Sequence, residues 1–241
     1  IIFDTPNLAW KRFPLAKMLS ESFGVPAAVD NDVNLGTYGE WYFGKIRECR
    51  YVVGIFPGTG IGGGLVIDGK IYYGFSGSAC EIGHMTVEVN GPFCGCGKRG
   101  CLEAVASRIA IAEQIAALAA RYDAPFIYDN CGTDLNEIRS TIIAKAIESG
   151  EKKVEAVVRK AAYYVGIAVG NLVNILSPDA IVLGGGLVEA MQELYVEEVT
   201  RGMEDHALPY MRKNVRLVTA RLGDDAVAMG AGLHILDKLD S

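Results

Sequence analysis

Long apolar runs are missing from this 241-residue chain, and none reaches the length of a membrane span. No charged-then-apolar leader opens it either, so no membrane contact is expected and a reducing cytoplasm fits. Positive charge is short: 23 Lys and Arg stand against 29 Asp and Glu, for a net charge of −6. A basic surface for a phosphate backbone is therefore not expected, and nucleic-acid binding through this chain is disfavoured. Two phosphate-binding fingerprints are also missing, since no GxGxxG opens a helix after a first strand and no GxxxxGK[ST] occurs. Half of the residues are hydrophobic, which is enough for a sizeable core.

What the chain does have is a local concentration of soft ligands. His84, Cys94, Cys96 and Cys101 fall within eighteen residues, the last three in CysGlyCysGlyLysArgGlyCys. Three thiolates and an imidazole complete a tetrahedral shell and leave no open position, so they predict a structural Zn²⁺. The competing reading pairs the six cysteines as disulfides. It is the weaker one, because Cys94 and Cys96 are separated by a single residue and a chain of this size needs no staples. Glycines 95, 97 and 100 let the backbone turn tightly around an ion. Cys49, Cys80 and Cys131 are scattered and read as reduced. Glu81, His84 and Glu103 flank or join this cluster, where a pinned loop could hold them against a ligand.

Strands and amphipathic helices alternate, which predicts an α/β protein. Helices are expected over 12–23, 33–43, 109–122, 154–176 and 226–239, and another that starts at a capping box of Asp134 and Glu137 and ends before Gly150. Strands are expected at 27–29, 51–56, 65–67, 180–183 and 215–222, with a turn over 58–64 and a hairpin turn at Asp68–Gly69. Gly166 and Gly170, four apart in the longest helix, imply an element crossing closely there.

Two further features can carry chemistry. The glycine turns at 58–64 and 184–186, and a weaker one at Gly223, each follow a strand, where bare backbone amides can approach phosphate oxygens. Glycines serve plain hairpins equally well. The run AspAsnAspValAsn at 30–34 puts carboxylates and amides at a strand end, where α/β folds bind ligands, and a carboxylate there can take a proton from a hydroxyl. Asp and Asn are also preferred helix N-caps, and the run by itself leaves both readings open.

In order, AsnAspValAsn, GlyThrGlyIleGlyGlyGly, GluIleGlyHis, CysGlyCysGlyLysArgGlyCysLeuGlu and GlyGlyGly resemble the ROK family of bacterial sugar kinases and sugar-responsive repressors. ThrProAsnLeuAlaTrp at 5–10 adds to the likeness, which covers essentially the whole chain. The resemblance implies an actin-like and hexokinase-like fold of two RNase-H-like lobes around a cleft. Residues 1–47 and 230–241 would be a remnant of the N-terminal lobe, and 48–229 the C-terminal lobe with its zinc-binding loop. It implies Asp32 as the general base, with Asn31, Asp32, Glu81, His84 and Glu103 on the sugar. Gly58, Thr59 and Gly60 would meet the phosphates of ATP, Gly184, Gly185 and Gly186 the adenosine side, and Mg²⁺ would accompany the phosphates. His84 would use one ring nitrogen for zinc and present the other to the sugar. A homodimer is the family's common state.

This sequence departs from the family pattern at two points. The AspxGlyGlyThr turn that opens family members is absent, so most of the first lobe is expected to be missing and the chain alone to phosphorylate poorly. Cys80 stands where glycine is common, before GluIleGlyHis. The expected function is ATP-dependent phosphorylation of a hexose, with glucose the leading guess. The alternative is the sugar-sensing region of a repressor that binds DNA through a preceding helix-turn-helix.

Overall fold

The structure, a computed structural model, describes residues 2–4 and 10–239. In chain order it places β1 (Ile2–Asp4), β2 (Lys11–Phe13), α1 (Leu15–Phe23), α2 (Asp32–Phe43), β3 (Tyr51–Pro57), β4 (Ile61–Ile67), β5 (Lys70–Ile71), a 3₁₀ turn (Ile82–His84) and α3 (Leu102–Ala106). There follow α4 (Arg108–Ala119), α5 (Pro125–Cys131), α6 (Ser140–Glu148), α7 (Lys152–Leu176), β6 (Ala180–Leu183) and α8 (Gly186–Ala190). The last elements are α9 (Gln192–His206), α10 (Pro209–Arg212), β7 (Arg216–Thr219) and α11 (Asp225–Leu239). The stretch 5–9, part of the family-like ThrProAsnLeuAlaTrp, lies outside the described residues.

One mixed sheet of order β5-β4-β3-β6-β7 organises these elements. β3 runs antiparallel to β4 and parallel to β6, with Val53 opposite both Leu65 and Ile181. Alternation along the strands divides their side chains between two cores. Val53, Ile55, Leu65, Ile181 and Leu183 face a large core shared with α3, α4, α7 and α9. Val52, Val66, Ala180 and Val182 face a smaller one closed by Tyr38 and Trp41 of α2 and Leu233 of α11. Helices α2 and α11 therefore cover the same sheet that residues 48–229 build. In the large core, Val154, Val158, Val165, Val169 and Val173 line one stripe of α7 and are fully buried. Burial of each stabilises the fold by about 1.5–3 kcal/mol.

Close helix packing depends on glycine at four points. A β-carbon on Gly166 would meet the Gly202 Cα at 2.7 Å, and one on Gly170 would meet the His206 Cβ at 2.9 Å, so α9 is the element that crosses α7. On the other side of the sheet Gly39 of α2 lies against the Ala226 carbonyl, and Gly230 of α11 against the Leu35 carbonyl.

Several boundaries differ from the sequence reading. The expected turn at 58–64 is shorter: Ile61 to Gly64 already pair with β3, and only 58–60 turn the chain. Glycines 62 and 64 sit in β4 because Val33 and Thr37 of α2 occupy the space side chains would need. Residues 27–29 form no strand, since no neighbouring strand pairs with them among the described residues. Strand 215–222 ends at Thr219. Asp134 heads a turn, its carboxylate accepting from the Asn136 N–H at 2.9 Å, and the helix itself starts only at Ser140. Helix α1 starts at Leu15, after Pro14, which follows β2. The sequence pattern predicts no helix at α3, α5, α8, α9 or α10.

Candidate functional site

Helix α2 starts at the acidic run, and Asn31 is its N-cap: the side-chain oxygen accepts from the Val33 and Asn34 N–H groups at 2.9 and 3.2 Å. The N-cap reading of the run therefore holds at Asn31. Asn31 spends its oxygen on the cap and keeps its amide N–H₂ for other partners, while Asp32, in the first turn, lines a cavity. Asp30 is turned away from that cavity, accepting from the Asn34 side chain at 3.2 Å and from the Tyr73 hydroxyl.

The cavity measures about 590 Å³. Asp32, Val33 and Gly36 of α2 form one wall, Gly58, Thr59 and Gly60 a second, and Gly185 and Gly186 a third. Glu103 of α3 reaches in beneath the first glycine turn, where its Oε2 accepts from the Ile61 N–H at 3.0 Å. The loop after β7, with Ala220, Gly223 and Asp224, closes the far side together with Ala226 and Val227. Gly184 is buried below, where a β-carbon would meet the Phe56 ring at 2.6 Å and Ala220 at 2.9 Å, so it packs while its two neighbours line. The lining holds four carboxylates, of Asp32, Glu103, Glu189 and Asp224, and no Lys or Arg. Arg108 stands at the edge, 3.5 Å from the Thr59 hydroxyl. Sequence reasoning missed Glu189 and Asp224; the GlyAspAsp run at 223–225 before α11 was the one available signal for the latter.

Glu81 opens onto a smaller adjoining cavity of about 180 Å³, shared with Asn31, Val33, Asn34, Gly62 and Cys80. Its carboxylate lies 4.0 Å from His84 Nε2, and His84 Nδ1 faces Cys94 Sγ at 3.6 Å. The two nitrogens of one imidazole therefore point to different neighbourhoods, one at the cysteines and the other at Glu81.

The four expected metal ligands do converge: one atom from each of His84, Cys94, Cys96 and Cys101 lies within 4.8 Å of every other. Cys96 and Cys101 are 3.7 Å apart at sulfur, far beyond a disulfide bond, and all six cysteines are free. A tetrahedron with Zn–S near 2.3 Å has sulfurs roughly 3.8 Å apart, so the donor set fits that ion. Burial, followed by hydrogen bonding with Cys96 and Cys94, pushes the Cys101 thiol up to about 12, whereas a backbone hydrogen bond at Lys98 draws the exposed Cys96 thiol down. A dication would offset the charge that Cys101 resists carrying alone. Phe93–Arg99 and Thr86–Cys101 bridges and a left-handed Gly97 and Gly100 shape the knuckle. At Gly100 any β-carbon would run into the Glu88 carbonyl.

The mixed sheet with helices on both faces is that of the actin-like and hexokinase-like sugar kinase fold, which solved relatives share. A ROK family glucokinase from Streptomyces griseus, in complex with glucose and AMPPNP, superposes with a TM-score of 0.82 at 29% identity, covering 95% of this chain and 74% of that one. The sequence profile described as ROK family matches residues 1–238, and the chain belongs to that family. It is 36% identical to the glucokinase of Halalkalibacterium halodurans over all of its own length and 72% of the relative's. It is 35% identical to a putative xylose repressor from a Caldicellulosiruptor species, of which it spans 58%. Among the described residues no helix is long and apolar enough to cross a membrane.

Proposed function

We propose that this chain supplies the sugar- and ATP-binding cleft of a hexose kinase, with glucose the first substrate to test. The observation that carries the reading is the placement of Asp32 and Glu103 in one cavity with the turns Gly58–Gly60 and Gly185–Gly186. Carboxylates suited to sugar hydroxyls and bare amides suited to phosphates share one space of about 590 Å³. The glucokinase relatives support it.

In this reading the Asp32 carboxylate takes the proton of a sugar hydroxyl as its oxygen attacks the γ-phosphorus of ATP, and the bond to the β-phosphate oxygen breaks to release ADP. Asn31, Glu81, His84 and Glu103 orient the sugar. The Ile61 N–H holds Glu103 in place, so this carboxylate does not have to be ordered when sugar arrives. Backbone amides at Gly58, Thr59 and Gly60 meet the phosphates, and Gly185 and Gly186 the adenosine side. Mg²⁺ would travel on the phosphate oxygens and offset the four acids; the one convergent group of three or more ligating side chains among the described residues is the Cys/His cluster. Zinc, where bound, braces the segment from His84 to Cys101, which leads directly into α3 and its Glu103.

The test is a coupled ADP-release assay on the full-length protein across hexoses and N-acetylhexosamines, with Asp32→Asn as control. Sugar-dependent turnover lost in the variant supports the reading; no turnover with any sugar sinks it. The xylose-repressor relatives favour a second reading, a sugar-sensing region of a DNA-binding protein. Sugar binding without turnover, together with release from DNA, would establish that one.

A further inference from the structure

Glu40 lies two turns along α2 from Asp32, and is 1% exposed. Its carboxylate makes no ion pair among the described residues. It spends both oxygens on backbone: Oε1 accepts from the Arg221 and Leu222 N–H groups at 2.9 and 2.8 Å, and Oε2 from the Arg221 N–H at 3.0 Å. These two residues sit inside the loop whose Ala220, Gly223 and Asp224 line the large cavity. β7 has ended just before them, at Thr219, with the Ala220 N–H still donating to the Leu183 carbonyl at 2.7 Å.

The same loop is fixed from both ends. Ala220 packs against Gly184 below the second glycine turn, while the Asp225 and Ala226 N–H groups donate back to Leu222 and Gly223 as α11 begins. Gly39, next to Glu40, brings α2 against the Ala226 carbonyl. A single helix therefore carries the base at its first turn and, about 12 Å further along, the acceptor that sets the opposite wall.

Resting on the kinase reading above, we propose that Glu40 is a positioning residue for the nucleotide: it sets the Ala220–Asp224 loop at the distance from Asp32 that ATP requires, without touching either substrate. A carboxylate suits this task because a buried side chain that only accepts can satisfy two adjacent N–H groups at once. An amide would turn a donor toward one of them, and an alanine would leave both unpaired.

The experiment compares the full-length wild type with Glu40→Gln, which keeps the shape, and Glu40→Ala. AMPPNP and sugar binding are measured separately by titration calorimetry, with steady-state KM values for ATP and sugar and the melting midpoint alongside. The expected result for Glu40→Gln is a folded protein whose AMPPNP affinity and ATP KM worsen by about tenfold, the worth of one charge-assisted hydrogen bond, with sugar affinity within about twofold of wild type. Equal loss of both affinities, or a lower melting midpoint with unchanged AMPPNP affinity, would overturn the proposal and leave Glu40 a residue of the core. A wild type that binds no AMPPNP would bring down the kinase reading and this inference together; a wild type that turns over beside an unimpaired Glu40→Gln would bring down the inference alone.

Discussion

Glu103 Oε2 lies 2.5 Å from where a β-carbon on Gly60 would sit, and 3.0 Å from the Ile61 nitrogen that donates to it. Carboxylate and glycine turn are thus a matched pair, and a methyl group at residue 60 displaces the acid. Gly60→Ala is expected to lower kcat/KM for sugar by on the order of tenfold or more, since a misplaced group of about an ångström costs that much or more. Its φ is not in the left-handed region, so the melting midpoint should move little. Glu103→Gln, measured beside it, should reproduce the kinetic loss, and an unchanged kcat/KM in Gly60→Ala would show that the carboxylate position is immaterial.

Metal analysis of the purified protein should give about one zinc per chain, as four converging soft ligands imply. Cys94→Ser, Cys96→Ser and Cys101→Ser are each expected to lose the metal and weaken sugar binding on the order of tenfold or more, because the segment between His84 and α3, which carries Glu103, loses its brace. Nucleotide affinity should change far less. Full metal-free stability with intact sugar binding would remove zinc from the account.

Burial is the main influence that holds the His234 imidazole below its ordinary range; Asp30 opposes it, Lys238 adds to it and Asp237 opposes it. His234 Nε2 lies 3.4 Å from Asp30 Oδ2 without hydrogen-bond alignment. With the folded value depressed, the unfolded chain binds the proton more readily, so this contribution is present above about pH 6.5 and is lost as pH falls toward the folded value. The melting midpoint should therefore decline from pH 7 toward pH 5.5, and His234→Gln should flatten that slope relative to wild type. Parallel slopes in the two proteins would place the pH sensitivity elsewhere.

How much of this was legible in the sequence depended on distance along the chain. The metal ligands fall within eighteen residues and each is chemically distinctive, so their convergence could be foreseen. The glycine pair in α7 implies a crossing element of unspecified kind, and α9 itself is hidden in the sequence. Its buried face runs Tyr195, Glu198, Val199, Gly202 and Met203, a helical spacing interrupted by a charge and a glycine. Glu198 can sit there because Arg159 and Arg201 pair with it at 2.9 and 2.7 Å. Glycines 62–64 read as a turn because nothing local reveals that α2 lies over Gly62 and Gly64, and Ile82 over Gly63. Glu40 and Asp224 were invisible for the same reason: each is an ordinary acid until a partner more than 180 residues away in sequence, or a cavity built from five segments, gives it a role.

Cys80 stands before GluIleGlyHis, where the family pattern has glycine. Its φ is +69°, in the left-handed region where a β-carbon costs about 1–2 kcal/mol, which explains a preference for glycine there. Comparing Cys80→Gly with Cys80→Ala removes the thiol in both and isolates that strain. The glycine variant is expected to melt higher than the alanine variant, by about 2–4 °C for each 1 kcal/mol in a chain of this size, the reverse of their order in a helix. Burial, and secondly the charge of Glu81, push the Cys80 thiol up to about 11, so iodoacetamide at pH 8 should spare it in the native protein. Equal melting midpoints for the two variants would show that the loop relaxes to a conformation free of the left-handed residue, and rapid alkylation of Cys80 would show that it opens.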